Sequence, residues 1–494
     1  MNNWIGDRIK QEEIDKYSVD GKDFIDDGLI MSLLADDTEP SEERVRQILD
    51  KSLSIETLTL EETADLIRVK DSAMLKLMRE TALKVKLKVY DNRIVMFAPL
   101  YLSNLCVNNC AYCGFRTGNA DAKRRTLSVD EVVAEARALA GEIGHKRLIV
   151  VYGEHPSTGV DYMAETIREL YKVQVPTKNG YNAIRRVNVN AAPMQVEELK
   201  KLKSVGIGTY QVFQETYDRK LYERVHPENT IKGNYRWRLY SMHRAMEAGI
   251  DDVGLGALFG LGDWRFEVLA LVAHSRELER CFKIGPHTIS FPRLEPAQNS
   301  ECSVNSGGSV SDEDFKRLIM ILRLSVPHTG MIITARESQD IRREAISVGF
   351  TQTDASTQIG IGAYSKGKLK NDDQHEEEQQ FLLGDTRSLD EVIREYAQMG
   401  FITSFCTAGY RCGRTGGCIM DMLKSGQEGK LCKLNAILTF REWLDDFASE
   451  ETKKVAYPLL EKEIQEVKDS IPQVFEKLME AYEKIKAGER DIFF

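Results

Sequence analysis

Apolar residues in the first part of the chain recur at helical spacing. In TLEETADLIRVKDSAMLKLMRETALKVKLKVY, which spans residues 59–90, they lie three and four positions apart, as on one face of an α-helix. Thr59 stands shortly before Glu61 and Glu62, and this order is typical of a helix N-cap. We therefore predict a helical N-terminal extension over residues 1–92.

From Arg93 onward, short β-rich runs alternate with helical segments. Such alternation predicts parallel strands, and eight strands favour a closed α/β barrel of the TIM type, (β/α)8, over residues 93–375. An open, doubly wound sheet is the second interpretation, although no G-x-G-x-x-G turn follows the first run. The eight predicted strands are IVMFAPLYL (94–102), RLIVVYGE (147–154), RVNVNAAP (186–193), TYQVFQET (209–216), DDVGLGALF (251–259), HTISFPRLE (287–295), GMIITARES (330–338) and FTQTDAST (350–357).

Polar residues at the ends of these runs are candidates for a functional site, because functional groups of such barrels lie at the C-terminal ends of the strands. Beyond the barrel, the charged sequence HEEEQQ predicts a linker, and residues 376–494 are predicted to form a helical C-terminal region. The candidate strand-end residues are Glu154, Asn188, Asn190, Gln214, Glu215, Arg293, Glu295, Arg336 and Glu337.

The composition indicates a soluble globular protein. Its 494 residues are 42% hydrophobic and 29% charged, with a net charge of -10, which argues against nucleic acid or an anionic membrane as the main partner. The acidic N-terminus disfavours a signal peptide, and no apolar stretch has membrane-spanning length, so we expect a cytoplasmic location. In that reducing compartment, clustered cysteines favour metal binding over disulfides. Cys281 and Cys302 lie outside the clusters and are interpreted as ordinary small residues.

Three cysteines directly follow the first predicted strand, in SNLCVNNCAYCGFR. Cys106, Cys110 and Cys113 have the spacing Cx3Cx2C. Three thiolates on one loop can ligate three irons of a [4Fe-4S] cluster and leave the fourth iron open to a cofactor. A structural zinc site is disfavoured because it needs a fourth ligand nearby, and no histidine or cysteine follows within about thirty residues.

This spacing, with Tyr112 before the last cysteine, resembles the signature of the radical S-adenosylmethionine (SAM) superfamily. The resemblance implies that SAM chelates the open iron and is reductively cleaved to methionine and a 5′-deoxyadenosyl radical, with an electron donor of the flavodoxin or ferredoxin type. It places Tyr112 near the adenine. Glu154, in VYGEHP, is the candidate for a charge-assisted contact with the SAM ammonium, and Asn188, Asn190 and Arg293 are further candidates for cofactor binding.

Longer segments resemble the HydG-type maturases of [FeFe]-hydrogenase, and more distantly the ThiH-type 2-iminoacetate synthases. They include IGTYQVFQETY, GPHTISFPRLEPA and the terminal GERDIFF, and the likeness runs from about residue 50 to the C-terminus. The implied reaction removes a hydrogen from tyrosine and breaks its Cα–Cβ bond, giving p-cresol and dehydroglycine. In HydG, dehydroglycine is further converted to CO and cyanide at a second, C-terminal cluster, for partners in hydrogenase maturation.

An amino acid lyase needs a cation for the substrate carboxylate, and a planar guanidinium binds it bidentately. Arg336 matches the family position with this role; the alternative is an arginine paired with Glu337 or Glu295. Glu215 is the second catalytic candidate. HydG-type chains read close to SAGSRT where this chain reads DASTQI, residues 354–359. An acid has entered and an arginine has left, so a different amino acid, such as tryptophan, stays open as the substrate.

The sequence CTAGYRCGRTGGC, residues 406–418, matches the second cluster site of the family incompletely. HydG-type enzymes bind that cluster with Cx2Cx22C, and Cys406 and Cys432 hold the outer positions while Gly409 holds the middle one. Two thiolates alone would hold a [4Fe-4S] cluster poorly. Cys412 is the preferred substitute for the third ligand and Cys418 the other, and an altered cluster or an empty site is the alternative.

The second cluster bears on one further candidate ligand and on the product of the reaction. The resemblance implies a histidine ligand for the exchangeable iron of the second cluster, for which His274 is the candidate and His287 the other histidine considered. Without a working second cluster, the product would be dehydroglycine or another lyase product. A non-catalytic iron–sulfur scaffold is a further alternative, but such a scaffold has no need of the SAM-binding segment.

Overall fold

Eight parallel strands close into a barrel in the computed structural model, which describes residues 2–366, 374, 377–418, 422 and 427–494. Each strand pairs with the next along the chain, and the last pairs with the first, so the sheet has no open edge inside the barrel. This closure confirms the predicted (β/α)8 fold. The barrel strands are β1 (Arg93–Ser103), β2 (Arg147–Tyr152), β5 (Arg186–Asn190), β6 (Tyr210–Gln211), β7 (Val253–Gly256), β8 (Thr288–Ser290), β9 (Gly330–Ile333) and β10 (Gln352–Asp354), while β3 (Gln174–Pro176) and β4 (Tyr181–Ala183) form a separate hairpin.

The first strand is the longest and joins the barrel to the C-terminal region. All eleven residues of β1 are buried, as expected for a parallel strand covered on both faces. Its residues 98–103 pair with β2 and residues 95–97 with β10. Its residues 93–95 pair in parallel with β11 (Ile402–Ser404), which lies beyond the barrel in sequence. The C-terminal region is therefore attached at the N-terminal end of the barrel strands.

In the described part of the chain, six helices precede the barrel. Thr59 caps the fifth of them through a capping box, since its hydroxyl accepts from the Glu62 amide at 3.2 Å and the Glu62 carboxylate accepts from the Thr59 amide at 2.8 Å. Such reciprocal bonds satisfy two amides that a helix start leaves open. The six helices are α1 (Asn2–Arg8), α2 (Glu12–Asp15), α3 (Asp27–Ala35), α4 (Glu42–Leu53), α5 (Leu60–Arg68) and α6 (Ser72–Tyr90).

Helices also surround the barrel and build the C-terminal region. The predicted boundary at residues 375 and 376 lies outside the described residues. Among the described residues, no helix combines the length and hydrophobicity that crossing a membrane requires. The barrel helices are α7 (Val129–Ala138), α8 (Val160–Lys172), α9 (Val196–Lys203), α10 (Arg219–Val225), α11 (Tyr235–Leu239), α12 (Ser241–Glu247), α13 (Trp264–Phe282), α14 (Glu301–Val304), α15 (Asp312–Ser325) and α16 (Gln339–Ala345), and the C-terminal ones are α17 (Leu389–Gln398), α18 (Ala408–Arg411), α19 (Gln427–Asp446), α20 (Glu450–Ser470) and α21 (Pro472–Lys486).

Candidate active site at the mouth of the barrel

The first cysteine loop lies at the C-terminal end of β1 and lines the main cavity of the barrel. Cys106, Cys110 and Cys113 all contribute to this cavity, whose volume is about 240 Å³. The loop packs tightly against the end of β2, where a Cβ on Gly153 would lie 2.1 Å from the Leu105 carbonyl oxygen. Only glycine permits this approach. This close approach fixes the start of the cysteine loop against the end of β2.

Glu154 lines the same cavity as these thiols. Its Oε2 accepts a hydrogen bond from Asn108 Nδ2 at 2.6 Å, while Oε1 is buried without a hydrogen-bond partner among the described residues. Arg8 Nε, on the N-terminal helix, lies 4.0 Å from Oε1. Burial raises the pKa of Glu154. A buried oxygen of this kind is costly unless a ligand donates to it.

The residues of this site therefore fit a [4Fe-4S] cluster and SAM. Three thiols on one loop match the donor set for three irons. The Glu154 carboxylate lines the cavity and has one oxygen without a hydrogen bond among the described residues, which suits an ammonium group as donor. Asn108 links the two parts, because its Nδ2 also lies 3.8 Å from Cys106 Sγ.

Three further predicted cofactor residues lie at different depths relative to this cavity. Tyr112 lines it and its hydroxyl hydrogen-bonds His226 Nε2 at 2.8 Å. Asn190 also lines the cavity. Asn188 lies lower in the barrel, where its Oδ1 accepts from Arg186 Nε and from the Thr209 amide, each at 3.0 Å.

Arg293 is engaged in ion pairs rather than lining the cavity. Its Nε donates to Glu337 Oε2 at 3.0 Å and its Nη1 to Asp312 Oδ1 at 2.7 Å. Arg336 does line the cavity, and its guanidinium carbon lies 3.3 Å from the centre of the Phe381 ring. The structure thus pairs Glu337 with Arg293 and leaves Arg336 facing the space beside the cysteine loop.

Glu215 is a fixed anion in the wall of the same cavity. Its Oε1 accepts from Lys232 Nζ at 2.9 Å and from Arg238 Nη2 at 3.4 Å. Burial opposes ionisation, but the charges of Lys232 and Arg238 hold the pKa of Glu215 below its usual value. Its φ of 72° lies in the left-handed region, an unfavourable conformation for a non-glycine residue that is often found at functional sites.

A segment after the barrel completes the mouth, and the sequence does not reveal it. Gln380 accepts a hydrogen bond from the Tyr101 hydroxyl at 3.1 Å, and its Nε2 lies 3.4 Å from Cys113 Sγ. Phe381 and Leu383 line the cavity with it. The sequence shows here only a charged linker, because these contacts join residues far apart in the chain.

Asp354, the acid that distinguishes DASTQI, lines the cavity but already has partners. Its Oδ1 accepts from the Ala335 amide at 2.8 Å and its Oδ2 from the Thr357 hydroxyl at 2.7 Å. The first of these bonds fixes the backbone directly before Arg336. Asp354 therefore holds the neighbouring loop as well as contributing to the pocket wall.

The C-terminal cysteine loop lies at the opposite end of the barrel. Arg186, the first residue of β5, donates to the Cys406 carbonyl at 3.1 Å and stacks on Tyr410 at 3.1 Å. Among the described residues, Cys406 and Cys432 are the two cysteines that line a small cavity here, and Gly409 lies between them in its wall. Two thiols do not fit a [4Fe-4S] cluster, which takes three or four.

The two substitute cysteines lie on the surface. Cys412 is exposed, with Sγ 3.7 Å from the Phe494 carbonyl oxygen. Cys418 is also exposed, with Sγ 4.0 Å from Met422 Sδ. Neither lines the cavity of Cys406 and Cys432. The structure therefore does not bring either of them to the position of the third ligand.

His274 lies on the outer wall of the barrel, in α13. Its Nδ1 hydrogen-bonds the Tyr217 hydroxyl at 2.9 Å, and its ring packs against Phe24 and His243. His287, in contrast, is near the C-terminal loop, with Nδ1 3.8 Å from Asp252 Oδ2. Asp252 itself faces Arg186, which contacts Cys406.

Comparison with known proteins agrees with this geometry. The family model "Radical SAM superfamily" matches residues 100–272, and "Biotin and Thiamin Synthesis associated domain" matches residues 290–402. The crystal structure of a HydG maturase of [FeFe]-hydrogenase is 43% identical, covers 96% of this chain and 100% of its own, and superposes with a TM-score of 0.89. The chain belongs to the HydG family of radical SAM enzymes.

Other relatives of this HydG-family enzyme extend the comparison. HydG from Carboxydothermus hydrogenoformans is 37% identical over 97% of this chain and 99% of its own, with a TM-score of 0.75. The 2-iminoacetate synthase of Escherichia coli is 28% identical over 71% of this chain and 88% of that protein. These findings confirm the resemblance seen in the sequence and make the chain a radical SAM carbon–carbon lyase. Membership of the family implies a [4Fe-4S] cluster and SAM.

Proposed function

We propose that this enzyme cleaves the Cα–Cβ bond of L-tyrosine to p-cresol and dehydroglycine and releases dehydroglycine as its product. The atoms of tyrosine divide fully between the two products. When bound, the cluster and SAM supply the radical that removes a hydrogen atom from the substrate. Because that hydrogen leaves with 5′-deoxyadenosine, the balance requires two electrons, which a donor of the flavodoxin or ferredoxin type would supply, and one proton from solvent.

One observation carries this proposal: Arg336 and the first cysteine loop line the same cavity. Arg336 offers a planar cation for an amino acid carboxylate. The wall between them is rich in aromatic side chains, which suits an aromatic substrate. The aromatic residues of the wall are Phe97, Tyr101, Tyr112, Phe115, Tyr152, Phe213 and Phe381.

The end point of the reaction is argued from the opposite end of the barrel. In the described part of the chain, two cysteines line the cavity of the C-terminal loop, and two thiolates are a poor donor set for a second [4Fe-4S] cluster. For this reason, continuation to CO and cyanide for hydrogenase maturation ranks second as a candidate function. It is favoured by the similarity to HydG maturases over almost the whole chain.

Mass spectrometry of an anaerobic reaction tests the proposal. Reconstituted enzyme, SAM, a reductant and tyrosine should give p-cresol, 5′-deoxyadenosine and glyoxylate, the hydrolysis product of dehydroglycine, without CO or cyanide. Arg336→Lys should reduce p-cresol formation at least tenfold, because a point charge replaces a bidentate fork. Exposed Arg343→Lys is the matched control.

The other outcomes are decisive as well. Deoxyadenosine without p-cresol would show that tyrosine is not the substrate, and the same assay with tryptophan would then identify the alternative. CO and cyanide formed in step with p-cresol would show that the second function is correct. Absence of any SAM effect on the spectrum of the cluster would favour the non-catalytic scaffold.

A further inference from the structure

We propose a metal site for a zinc-like divalent cation on the outer wall of the barrel, formed by His243, Glu277 and Cys281. His243 lies on α12 and faces α13. Glu277 and Cys281 are four residues apart on α13, and this spacing places them on one face of the helix. Their ligand atoms all lie within 4.8 Å of one another.

The distances between these atoms suit a tetrahedral ion. His243 Nε2 lies 3.7 Å from Glu277 Oε1, and Cys281 Sγ lies 3.2 Å from the same oxygen. Zinc bonds of the usual lengths place neighbouring ligand atoms about 3.3–3.6 Å apart. The third distance, from Nε2 to Sγ, is within 4.8 Å, and Cys281 is exposed.

His243 supplies an independent reason for an ion at this place. Its side chain is fully buried, and neither ring nitrogen has a hydrogen-bond partner in the described structure. At 3.7 Å, Glu277 Oε1 is too far for a hydrogen bond to Nε2. Buried polar groups without a partner are rare and commonly mark a missing water or ion.

The surroundings of His243 favour an ion over water as that partner. The imidazole packs among aromatic rings, since the ring centroids of Tyr17, Tyr240 and Phe24 lie 5.0, 5.1 and 5.5 Å from the His243 centroid. These rings offer apolar faces to the imidazole. One side of the cluster remains open, at the exposed Cys281. A cation could enter there and retain a water molecule as its fourth ligand.

Arg280 contacts two of the three proposed ligands. Its Nε lies 2.7 Å from Glu277 Oε2, and its Nη2 lies 2.7 Å from Oε1 and 3.2 Å from Cys281 Sγ. The Arg280 side chain is 62% exposed, so it can turn into solvent. The incoming cation would then replace its charge, and Cys281 would release its thiol proton to solvent.

The donor set selects the kind of metal. A neutral imidazole, a carboxylate and a thiolate together carry two negative charges, which match a divalent cation. Nitrogen and sulfur ligands favour zinc-like ions over magnesium or calcium, which prefer oxygen. Because His243 also packs against Tyr17 and Phe24, bound metal would fasten this part of the N-terminal extension to the barrel.

Zinc retention by the full, cluster-reconstituted protein tests the site. After incubation with zinc and removal of weakly bound ions by gel filtration, the wild type should hold about one zinc per chain more than Cys281→Ser. His243→Asn should lose the same zinc. Cys302→Ser, which removes another cysteine outside the cluster loops, should retain it. X-ray absorption at the zinc edge should show one sulfur ligand at about 2.3 Å.

Arg280→Ala provides a test in the opposite direction. Removing the competing guanidinium should strengthen zinc binding at least threefold in competition with a chromophoric chelator. Equal zinc content in the wild type and Cys281→Ser would overturn the proposal, as would unchanged or weaker binding in Arg280→Ala. Because Cys281 and Arg280 are exposed, both variants are expected to fold.

Discussion

The carboxyl group of Glu295, at the mouth of the barrel, changes its charge near neutral pH. It lines the same cavity as Arg336. Burial, reinforced by the charge of Glu337, raises the pKa of Glu295 to about 7, although Arg336 and Arg293 oppose the shift. The carboxyl group is therefore mostly neutral below pH 7 and mostly charged above it. A substrate carboxylate approaching Arg336 meets an added negative charge only at the higher pH.

This titration predicts a pH-dependent affinity for the amino acid. The dissociation constant of tyrosine for the reconstituted enzyme with SAM should increase several-fold between pH 6 and pH 8, because charged Glu295 repels the carboxylate that Arg336 binds. Glu295→Gln should bind tyrosine with nearly the same affinity at both values. Isothermal titration calorimetry can measure this, with the exposed Glu313→Gln as control. A pH dependence that persists in Glu295→Gln would contradict the assignment.

Neighbouring asparagines show which site residues the sequence can identify. Asn188 and Asn190 are two positions apart on one strand, so period-two alternation places both on the same face. Only Asn190 reaches the cavity, while Asn188 bonds to Arg186 deeper in the barrel. The sequence pattern gives the face but not the depth. For Arg293, the sequence pattern likewise gives its place at a strand end but not its ion pair, because the partner Glu337 follows the adjacent strand.

At the scale of elements, the alternation of runs predicted the order and pairing of the barrel strands but not their lengths. The run TYQVFQET covers residues 209–216, whereas the strand is only Tyr210–Gln211. Its polar end continues only as an isolated parallel bridge from Glu215 to Ala257 and places Glu215 in the cavity wall. The contribution of Gln380 to the mouth and the pairing of β11 with β1 have no local signal, since both depend on contacts distant in sequence.

The C-terminal loop allows a prediction about restoring a cluster. Among the described residues, a Cβ on Gly409 would meet Arg414 alone within 4 Å, with its carbonyl oxygen at 3.5 Å and its Cβ at 4.0 Å. Gly409→Cys should therefore fold and place a third thiol in the cavity of Cys406 and Cys432. After reconstitution, this variant should contain about four more irons and four more sulfides per chain than the wild type.

The control for this variant distinguishes the two interpretations of the loop. If Cys412 stays on the surface, Cys412→Ser in the wild-type chain should leave the iron content unchanged. Loss of about four irons in Cys412→Ser would instead show that Cys412 moves to complete the cluster. In that case Gly409→Cys should add none. Iron and sulfide analysis with electron paramagnetic resonance separates these outcomes.

Over the whole molecule, buried charges join the C-terminal region to the barrel. Glu442, on α19, is fully buried, and its Oε2 lies 3.2 Å from Lys146 Nζ and 2.8 Å from Arg185 Nη1. Lys146 directly precedes β2, and Arg185 directly precedes β5. One carboxylate thus pairs with two cations at the N-terminal end of the barrel, the end where the C-terminal cysteine loop lies.

Removing this carboxylate charge should weaken the whole assembly. Among the described residues, Glu442→Gln leaves the buried Lys146 without its anion and leaves Arg185 with Asp491 alone, 3.2 Å from Arg185 Nε. Breaking a buried ion pair in this way costs about 3–5 kcal/mol. The urea midpoint of unfolding should therefore fall clearly. Glu450→Gln is the matched control, because Glu450 also pairs with a lysine of the C-terminal region, at 2.9 Å from Lys453 Nζ, but its side chain is 77% exposed. Its midpoint should not change measurably, since water screens exposed pairs. Equal midpoints for Glu442→Gln and Glu450→Gln would mean that the C-terminal region is held by apolar packing rather than by these charges.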